Sequence, residues 1–418
     1  MSNTALQTYD VIIVGGGMVG ACMAGALCNS VNTSHPTQQH SIRIAVIDTH
    51  APPRDWSREQ FDPRVSAISR ATKNIFTAIG AWQNMVAERV TPYRAMHVWD
   101  STGNGMIHFD SADIGEPELG HIIENRVILQ GLLQVIEQNS HIDYLCPEQP
   151  VALDQHASHS SITLASGKSL AAKLIIGADG ARSWVRQAAG IGTRQTSYRQ
   201  KAVVTTVKTQ LPHQDTAWQR FLPTGPLAFL PLTDNYSSIV WSADETRADE
   251  LLALDDDAFK QQLQEALANK LGSIEYCDSR AAFPLHSQHA NHYVTQRIAL
   301  IGDAAHTIHP LAGQGVNLGF ADAASLAEVL ITAMQQGKDL GNTAVLRRYE
   351  RWRKGNNLAM QSAMTGFKSL FGNNLPVLRE IRNIGLNLTN QFTPMKNSLI
   401  RYAMGLEGDL PEIAKAVK

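Results

Sequence analysis

The chain has 418 residues, a formal net charge of −2, and a composition that is 44% hydrophobic and 18% charged. This length suits two or three domains with sizeable cores, and the near-neutral charge gives no general attraction to nucleic acid. The four cysteines form no C-x-x-C pair, so neither a zinc site nor a disulfide framework is indicated. Reduced thiols in a cytoplasmic protein are the better interpretation.

The N-terminal region contains an apolar run, residues 11–28, that imitates a targeting signal. No Lys or Arg precedes it and three consecutive glycines, residues 15–17, interrupt it, so we expect neither a signal peptide nor a membrane span. Residues 9–14 and 42–47 are each typical of a buried β-strand, and the second ends at Asp48. With the helix-forming segment between them, they predict the first β-α-β unit of a Rossmann-type sheet. We expect no membrane span elsewhere.

The rest of the chain contains further short Rossmann-like segments, with a β-rich block inserted between them. Residues 58–69 are loop-like, residues 198–242 are β-rich, and the chain from residue 322 onward is mostly helical in pattern. We therefore predict an α/β fold with a Rossmann-type nucleotide domain built from discontinuous segments, a β-rich substrate domain and C-terminal helices. The predicted boundaries are 1–72, 111–188 and 292–345 for the nucleotide domain, 73–110 and 189–291 for the substrate domain, and 346–418 for the helical region.

The first motif is G-x-G-x-x-G, formed by Gly15, Gly17 and Gly20. The first glycine permits a tight turn, the second lets a pyrophosphate approach the backbone, and the third lets helix and strand pack closely. The pyrophosphate then lies at a helix N-terminus, which favours an anion. Asp48, at the end of the second strand, would accept the adenosine ribose hydroxyls. This context favours a dinucleotide site over a chance glycine loop.

Two further motifs also follow buried strands. Residues 177–183 (G-A-D-G-A-R-S) include Asp179; a D-G pair alone is a common turn, but after a strand it indicates a second approach to the dinucleotide. The strand of residues 297–301 ends at Gly302 and Asp303, and residues 313–317 then open a helix. A carboxylate and the positive end of a helix would therefore meet the same ligand.

The third motif also has a spacing that would allow a metal site, because Asp303, His306 and His309 are close in sequence. No further ligand cluster accompanies them. We therefore interpret the segment as part of a cofactor site and expect no metal.

In order and spacing, the three motifs resemble those of flavin monooxygenases of the p-hydroxybenzoate hydroxylase type. More narrowly, the chain resembles the ubiquinone-biosynthesis hydroxylases. Residues 302–317 fit the family pattern G-D-A-A-H-x-x-x-P-x-x-G-Q-G-x-N in full. The segments that carry the resemblance are residues 11–20, 62–69, 120–125, 176–185, 228–232, 300–319 and 401–406.

The resemblance implies an FAD site that is distributed over most of the chain. Its residues would be Gly15, Gly17, Gly20, Asp48, Arg64, Asn125, Arg126, Asp179, Asp303, Pro310, Gly313, Gln314, Gly315, Val316 and Asn317. The glycines and Asp48 would hold the ADP half, and Arg64 would lie near the flavin and the pyrophosphate. Asp179 belongs to an element shared by FAD and NAD(P)H. Asp303 would bind the ribityl chain, and residues 310–317 would line the isoalloxazine.

The resemblance also implies the chemistry. In such enzymes NAD(P)H reduces FAD, O2 adds at the 4a carbon of the flavin, and the resulting hydroperoxide delivers a hydroxyl group to an electron-rich phenol ring. No side chain need act as a nucleophile, so we assign no catalytic residue. The lack of a second nucleotide-binding domain in the pattern fits transient docking of NAD(P)H.

The implied substrate is a phenol ring that bears a long polyprenyl chain. Aromatic residues and a proline of the β-rich block could line its pocket, with ordinary core packing as the alternative: Trp218, Phe221, Phe229, Pro231 and Trp241. Residues 238–242 and the tail of residues 338–410 look most like the branch that hydroxylates a 2-polyprenylphenol ortho to its hydroxyl. A neighbouring branch acts on a later polyprenyl-benzoquinol. A small soluble phenol as substrate and an idle flavoprotein scaffold remain as alternatives.

The C-terminal region has an unusual charge pattern. Between residues 360 and 406 there are five basic residues and one acidic residue among many apolar ones. Such a surface suits a membrane face or a lipid-delivering partner, and a solvated helical cap is the alternative. We expect a cytoplasmic protein, peripheral at the inner membrane, that works with other ubiquinone-biosynthesis proteins.

Overall fold

The computed structural model describes residues 6–34, 42–308, 315–371 and 376–415, with side chains for all of these except 29–34, 367–371, 376–379, 381 and 382. The strands are β1 (Gln7–Val14), β2 (Ile44–Ile47), β3 (Val65–Ser69), β4 (Thr91–Tyr93), β5 (Ala95–Asp100), β6 (Met106–Asp110), β7 (Gly120–Glu124), β8 (Ile142–Leu145), β9 (Pro150–Gln155), β10 (Ser160–Leu164), β11 (Ser169–Gly177), β12 (Thr193–Thr209), β13 (Thr216–Leu222), β14 (Gly225–Pro231), β15 (Tyr236–Asp244), β16 (Ile274–Cys277), β17 (Ala281–Ala290), β18 (Val294–Thr295), β19 (Ile298–Leu300) and β20 (His306–Thr307). The helices are α1 (Met18–Ser34), α2 (Arg70–Ala78), α3 (Trp82–Glu88), α4 (Asn125–Glu137), α5 (Trp184–Ala188), α6 (Glu245–Ala253), α7 (Asp256–Ala266), α8 (Gly315–Gln335), α9 (Thr343–Phe371), α10 (Pro376–Gln391) and α11 (Thr393–Ala403).

The first sheet has the order β18-β19-β11-β1-β2-β8, with β10 and β9 attached beside β11. Its central strands β19, β11, β1, β2 and β8 are parallel. Strands β19, β11, β1 and β2 are mostly buried because helices cover both faces, as continuous apolar runs require, whereas β8 at the edge is only partly buried. The predicted Rossmann-type sheet is therefore present, and its strands come from separate parts of the chain.

The register of this sheet brings the three sequence motifs together. Val14 is paired with Ile47 on one side and with Gly177 on the other, and Gly177 is paired with Leu300. The four strands thus end in one row, so the residues that follow them meet at one edge. Ligands of open parallel sheets bind at such carboxyl edges.

The second sheet has the order β20-β17-β12-β15-β14-β13-β5-β6, with β16 beside β12. All its pairs are antiparallel except β13 with β5. Helices α6 and α7 pack on one face around Phe259 and Leu263, which are fully buried. The opposite face looks toward the first sheet. This is the β-rich unit that the sequence predicts.

A small third sheet, β3-β7-β4, lies between the other two. The prediction of a loop over residues 58–69 is wrong for its last five residues, which form β3. Val65 is paired with Glu124 and Ser69 with Gly120. The strand is short and rich in small residues, and its partner is far away in sequence, so the local pattern lacks a strand signal.

The C-terminal part is helical from α8 onward, as predicted. Helix α8 is the one described helix that is long and apolar enough to cross a bilayer, but 72% of its apolar window is buried inside the protein. It packs against α1 and α9, and Phe320 at its start contacts Phe76 edge-on with ring centroids 4.8 Å apart. This burial indicates a core helix.

Candidate active site

A cavity of about 550 Å³ lies between the carboxyl edge of the first sheet and the inner face of the second sheet. One end is formed by the glycine loop after β1, by β3 and by the residues that follow β11 and β19. The other end is formed by β12, β13, β14 and β15, and α11 closes it. One space therefore connects the predicted nucleotide site with the β-rich unit.

The glycine loop at one end of the cavity has the geometry that its motif requires. Gly15 has φ +104°, and a β-carbon there would overlap the backbone of Ala178. A β-carbon at Gly20 would overlap the carbonyl oxygen of Gly15, so helix α1 can approach β1 only because residue 20 has no side chain. A β-carbon at Gly17 would have no neighbour within 4 Å, because this residue faces the cavity.

Asp48 connects the end of β2 to the glycine loop. Its Oδ2 accepts a hydrogen bond from the backbone N–H of Gly16 at 2.6 Å, and its Oδ1 accepts one from His50 at 3.0 Å. The carboxylate thus fixes the loop before α1. It remains partly exposed, so a ribose hydroxyl could still reach it.

Asp303 lies at the floor of the cavity after β19. Its side chain is open to the cavity, yet protein surrounds it on the other sides, and this burial raises the pKa of its carboxyl, against the opposing effects of His306, Arg64 and His286. No hydrogen bond from the described part of the chain reaches its carboxylate. A ligand with hydroxyl donors would satisfy that carboxylate.

A buried ionic network holds the turn of Asp303 on the side away from the cavity. Asp322 on α8 is fully buried, and its carboxylate lies 2.5 Å from Nε2 of His306 and 2.8 Å from Nε of Arg353. It also accepts the backbone N–H of Gly302 at 3.2 Å and the Asn357 amide at 3.1 Å. Burial alone would raise the pKa of Asp322, but the charges of His306 and Arg353 lower it to about 2. His306 thus has a structural partner; the described residues contain no cluster of three potential metal ligands, and His309 lies outside them.

The start of α8 is tied to the third sheet by one side chain. Asn317 donates from Nδ2 to the carbonyl of Ala67 at 2.8 Å, and its Oδ1 accepts from the N–H of Ser69 at 3.1 Å. Gly315 and Val316 line the cavity beside it. Arg64, on the opposite wall, lies over the ring of Phe283 at 5.5 Å. The predicted residues Pro310, Gly313 and Gln314 lie outside the described residues.

Asn125 and Arg126 point to different places at the start of α4. Asn125 lines the cavity, where its Oδ1 accepts the hydroxyl hydrogen of Ser66 at 2.7 Å. Arg126 instead binds the buried carboxylate of Glu124 at 2.7 Å and lines a separate cavity of about 160 Å³ with Arg54. The structure therefore brings Asn125, and not Arg126, to the main cavity.

Asp179 stands one residue away from the cavity wall formed by Ala178 and Gly180. Its Oδ2 accepts the backbone N–H of Val185 at 3.0 Å at the start of α5, and burial raises the pKa of its carboxyl. Its Oδ1 is buried without a hydrogen-bond partner in the described structure. In the described structure it orders the turn before α5 and lines no part of the cavity.

The five residues predicted for the substrate pocket lie elsewhere, and that expectation needs correction. Trp218, Phe229, Pro231 and Trp241 point away from the cavity, and three of them pack in the core beneath α6 and α7. Phe221 packs with Val98 and Ile107 beyond the end of the cavity. Successive side chains of a strand point to opposite faces, so the neighbours of the aromatic residues line the cavity. The neighbours of Trp218, Phe229 and Trp241 that line it are Ala217, Gln219, Ala228, Leu230, Val240 and Ser242, and Ala202, Val204 and Pro226 line it from the same sheet.

Several cavity residues were missed because their sequence signal is weak. Tyr93 on β4 lines the cavity, and burial raises the pKa of its hydroxyl to about 12. Gln219 and Ser242 add two polar groups on the second sheet, and Leu399 and Met404 of α11 form the far wall. An alternation of small and large residues along β13 and β14 is the signal that could have identified this face.

These residues fit FAD in three independent ways. Gly17 leaves open space for a pyrophosphate at the N-terminus of a helix. The Asp303 carboxylate faces the cavity, where it could accept hydrogen bonds from hydroxyl groups. Asp48 lies at the end of β2, beside the glycine loop. When bound, FAD supplies electron transfer and the activation of O2. The protein supplies binding, orientation and a space sheltered from bulk water.

Comparison with known proteins agrees with this geometry. The FAD binding domain family matches residues 8–361. The 3-demethoxyubiquinol 3-hydroxylase of Escherichia coli (strain K12) is 39% identical over 401 residues, covering 96% of this chain and 99% of that protein. The mitochondrial ubiquinone biosynthesis monooxygenase COQ6 of Xenopus tropicalis is 36% identical over 446 residues, covering 96% and 95%.

The fold has solved counterparts as well. The crystal structure of p-nitrophenol 4-monooxygenase PnpA from Pseudomonas putida DLL-E4 matches with a TM-score of 0.77 at 19% identity, covering 96% of this chain and 99% of that one. This likeness confirms the predicted p-hydroxybenzoate hydroxylase-like fold. The chain belongs to the FAD-dependent ubiquinone-biosynthesis hydroxylase family and is an FAD-dependent aromatic-ring monooxygenase.

Proposed function

We propose that the protein hydroxylates the ring of a polyprenylated phenol in ubiquinone biosynthesis, and that its substrate is a 2-polyprenylphenol attacked ortho to the hydroxyl. NAD(P)H would serve as the electron donor and O2 as the oxidant. The observation that carries the proposal is the cavity itself. It joins the glycine loop and Asp303, which we propose contact FAD, to an apolar compartment that extends as far as α11.

The chemistry of the compartment supports a lipophilic substrate. Among the described residues that line it, the only charged side chains are Arg64 and Asp303, and both stand at the FAD end. The walls on the second sheet are mainly alanine, valine, leucine and proline. A small acidic phenol would lack a cation beside its ring, whereas a prenyl chain would bury its methylene groups against these walls.

Three polar groups of the compartment could orient the phenol. Tyr93, Gln219 and Ser242 are its hydrogen-bonding side chains next to the apolar walls. A few polar groups on an apolar wall fix the orientation of a ligand. The Tyr93 hydroxyl is protonated at neutral pH, as tyrosine hydroxyls ordinarily are, so it can donate a hydrogen bond to the substrate oxygen.

A later polyprenyl-benzoquinol is the second candidate substrate. It is favoured by the name of the 39% identical relative, a 3-demethoxyubiquinol 3-hydroxylase. The sequence of residues 238–242 and of the tail favours the 2-polyprenylphenol instead. A hydroxylase that acts on a small soluble phenol would be expected to have a smaller, closed pocket. A flavoprotein scaffold without activity would be expected to have altered flavin-binding loops.

The lipophilic substrate bears on where the protein works. We propose that it acts at the cytoplasmic face of the inner membrane as a peripheral protein, together with other ubiquinone-biosynthesis proteins. We also propose that NAD(P)H docks transiently near the FAD. Asp179, next to the cavity wall, belongs by resemblance to the element that such enzymes use for both FAD and NAD(P)H.

Product analysis with two substrates tests the proposal. The purified flavoprotein is incubated with NADPH, O2 and either a short-chain 2-prenylphenol or a short-chain demethoxyquinol, and the products are identified by mass spectrometry and NMR. We expect substrate-stimulated NADPH oxidation and an ortho-hydroxylated product from the 2-prenylphenol. Hydroxylation of the quinol alone would establish the second candidate, and stimulation by neither would refute both.

A further inference from the structure

Helix α10 is attached to the second sheet through its polar face. Asn383, Asn387 and Asn390 accept hydrogen bonds from the backbone N–H groups of Gly105, Met106 and His108, at 2.9, 3.1 and 3.0 Å. Strand β6 is the edge strand of that sheet. The asparagines, spaced four and three residues apart, therefore satisfy an edge that would otherwise need water or another strand.

A second face of α10, beside the asparagine face, is apolar and exposed, and the apolar surface continues along α11. We define the C-terminal apolar face by its exposed side chains, which are Ile384, Leu388, Phe392, Met395, Leu399 and Tyr402, between 44% and 61% exposed. A surface helix of a protein surrounded by water normally has the reverse arrangement, with its apolar stripe toward the core. A contiguous exposed apolar patch of this kind marks an interaction site.

The charges around this face indicate an anionic lipid surface as its partner. Helix α11 contains Lys396 and Arg401 but no Asp or Glu, whereas α10 contains one acidic residue, Glu380, one turn before Ile384. Lys396 contacts Asp113 at 2.7 Å, so it also anchors α11 to the protein. Apolar side chains with more basic than acidic residues on the same helices are typical of helices that lie in the interface of a bilayer.

The face is continuous with the lipophilic cavity. Leu399 is 44% exposed and also lines the cavity, and Ala403, one turn later, does the same. Ile400 and Met404 lie beneath them and are almost fully buried. One helix, α11, thus separates the cavity from the exposed apolar surface.

We propose that the C-terminal apolar face docks on an anionic lipid bilayer and that the edge of α11 is the portal through which the chain of the substrate passes. The substrate part of this inference rests on the proposed function; the docking part does not. Docking places the opening of the cavity against the acyl region, so the prenyl chain need not cross water. The cost of exposing each methylene to water, about 0.8 kcal/mol, is thereby avoided.

The test compares two exposed residues of the face with a matched residue elsewhere. Leu388→Asp with Phe392→Asp places two carboxylates on the face, and neither residue lines the cavity. Val151→Asp is the control, because Val151 is 53% exposed and lies on β9, away from the face. Flotation of the FAD-loaded proteins with vesicles of phosphatidylethanolamine and phosphatidylglycerol measures docking. Turnover is measured with a long-chain substrate in the vesicles and with a short-chain, water-soluble 2-prenylphenol.

We expect the double variant to lose vesicle binding by about tenfold or more and to lose turnover of the vesicle substrate in proportion, with soluble-substrate turnover unchanged. The Val151 variant should behave as the parent protein does. Equal vesicle binding by the parent protein and the double variant would overturn the inference. So would a concentration-dependent dimer that the double variant abolishes, since the face would then join two copies. If no substrate is turned over, the flotation result still decides on docking.

Discussion

The imidazole Nε2 of His306 lies 2.5 Å from Oδ2 of Asp322, and both side chains are almost fully buried. The Arg353 guanidinium completes the network at 2.8 Å from the same carboxylate. This arrangement links α8 and α9 to the turn that carries Asp303. The position of the Asp303 carboxylate in the cavity therefore depends on charged side chains that do not line the cavity.

Replacing Asp322 by Asn should destabilise the protein strongly. The substitution leaves the Arg353 charge buried without a counter-charge, and such changes cost about 3–5 kcal/mol. Chemical unfolding of the flavoprotein measures the effect. Asp249→Asn is the control, because its ion pair with Lys201 is exposed at the carboxylate and should contribute less than about 1 kcal/mol. Equal effects of the two substitutions would contradict the structural role of the network.

Stability should fall as the pH is lowered from 6.5 toward 4. Burial first, and then the charge of Lys73, lower the pKa of His121 from 6.5 to about 4. Between pH 6.5 and pH 4 the unfolded chain therefore binds a proton at His121 while the folded protein does not. Each unit of difference between the two pKa values lowers the free energy of unfolding at acid pH by about 1.4 kcal/mol. Thermal unfolding at pH 7.5 and pH 5 measures the slope. His121→Phe keeps a ring against Trp82, and it should reduce the pH dependence; an unchanged slope would exclude His121 as its source.

Two alanine substitutions in the glycine loop should have different consequences. Gly17→Ala places a methyl group in the open space for the pyrophosphate, so the fold should remain and FAD affinity should fall by about tenfold or more, which is about 1.4 kcal/mol. Gly20→Ala overlaps the Gly15 carbonyl and should lower the stability of the flavin-free protein by about 1–3 kcal/mol. Thermal unfolding against added FAD separates the two effects. Full FAD affinity in the Gly17 variant would place the pyrophosphate elsewhere.

Neighbouring residues of β14 should affect substrate binding and stability separately. Ala228→Phe fills the cavity, so kcat/KM for a prenylphenol should fall while bound FAD stays unchanged. Phe229→Ala, on the other face, removes a fully buried ring and should cost about 3–5 kcal/mol of stability with KM unchanged. Steady-state kinetics and chemical unfolding of both variants test this. A raised KM in the Phe229 variant alone would reverse the assignment of the faces.

The arrangement of the glycine loop and Asp303 at one end of the cavity could be predicted from sequence because its signals are local. Gly15, Gly17 and Gly20 directly follow a strand and open a helix, and Asp303 directly follows another strand. Parallel strands end at the same edge of a sheet, so the motifs that follow these strands can be placed side by side from sequence. For this reason Gly15, Asp48 and Asp303 lie close to one cavity.

The substrate half could not be predicted in the same way because it depends on which face of a sheet is covered. From sequence, Trp241 and Phe229 could be pocket or core residues; α6 and α7 cover their side of the sheet, so Ala228 and Val240 line the cavity instead. The pattern of α10 is equally ambiguous. Its asparagines would ordinarily indicate a solvent face, and only the edge strand β6, more than 270 residues earlier, turns them inward.

The central claim is that this protein transfers one oxygen atom from O2 to the ring of a prenylphenol. Turnover of a short-chain 2-prenylphenol with NADPH under 18O2, followed by mass spectrometry of the product, tests it most directly. We expect one 18O atom in each hydroxylated product and one NADPH consumed for each product in well-coupled turnover. Product oxygen that comes from water, or NADPH oxidation that yields only hydrogen peroxide, would contradict the claim.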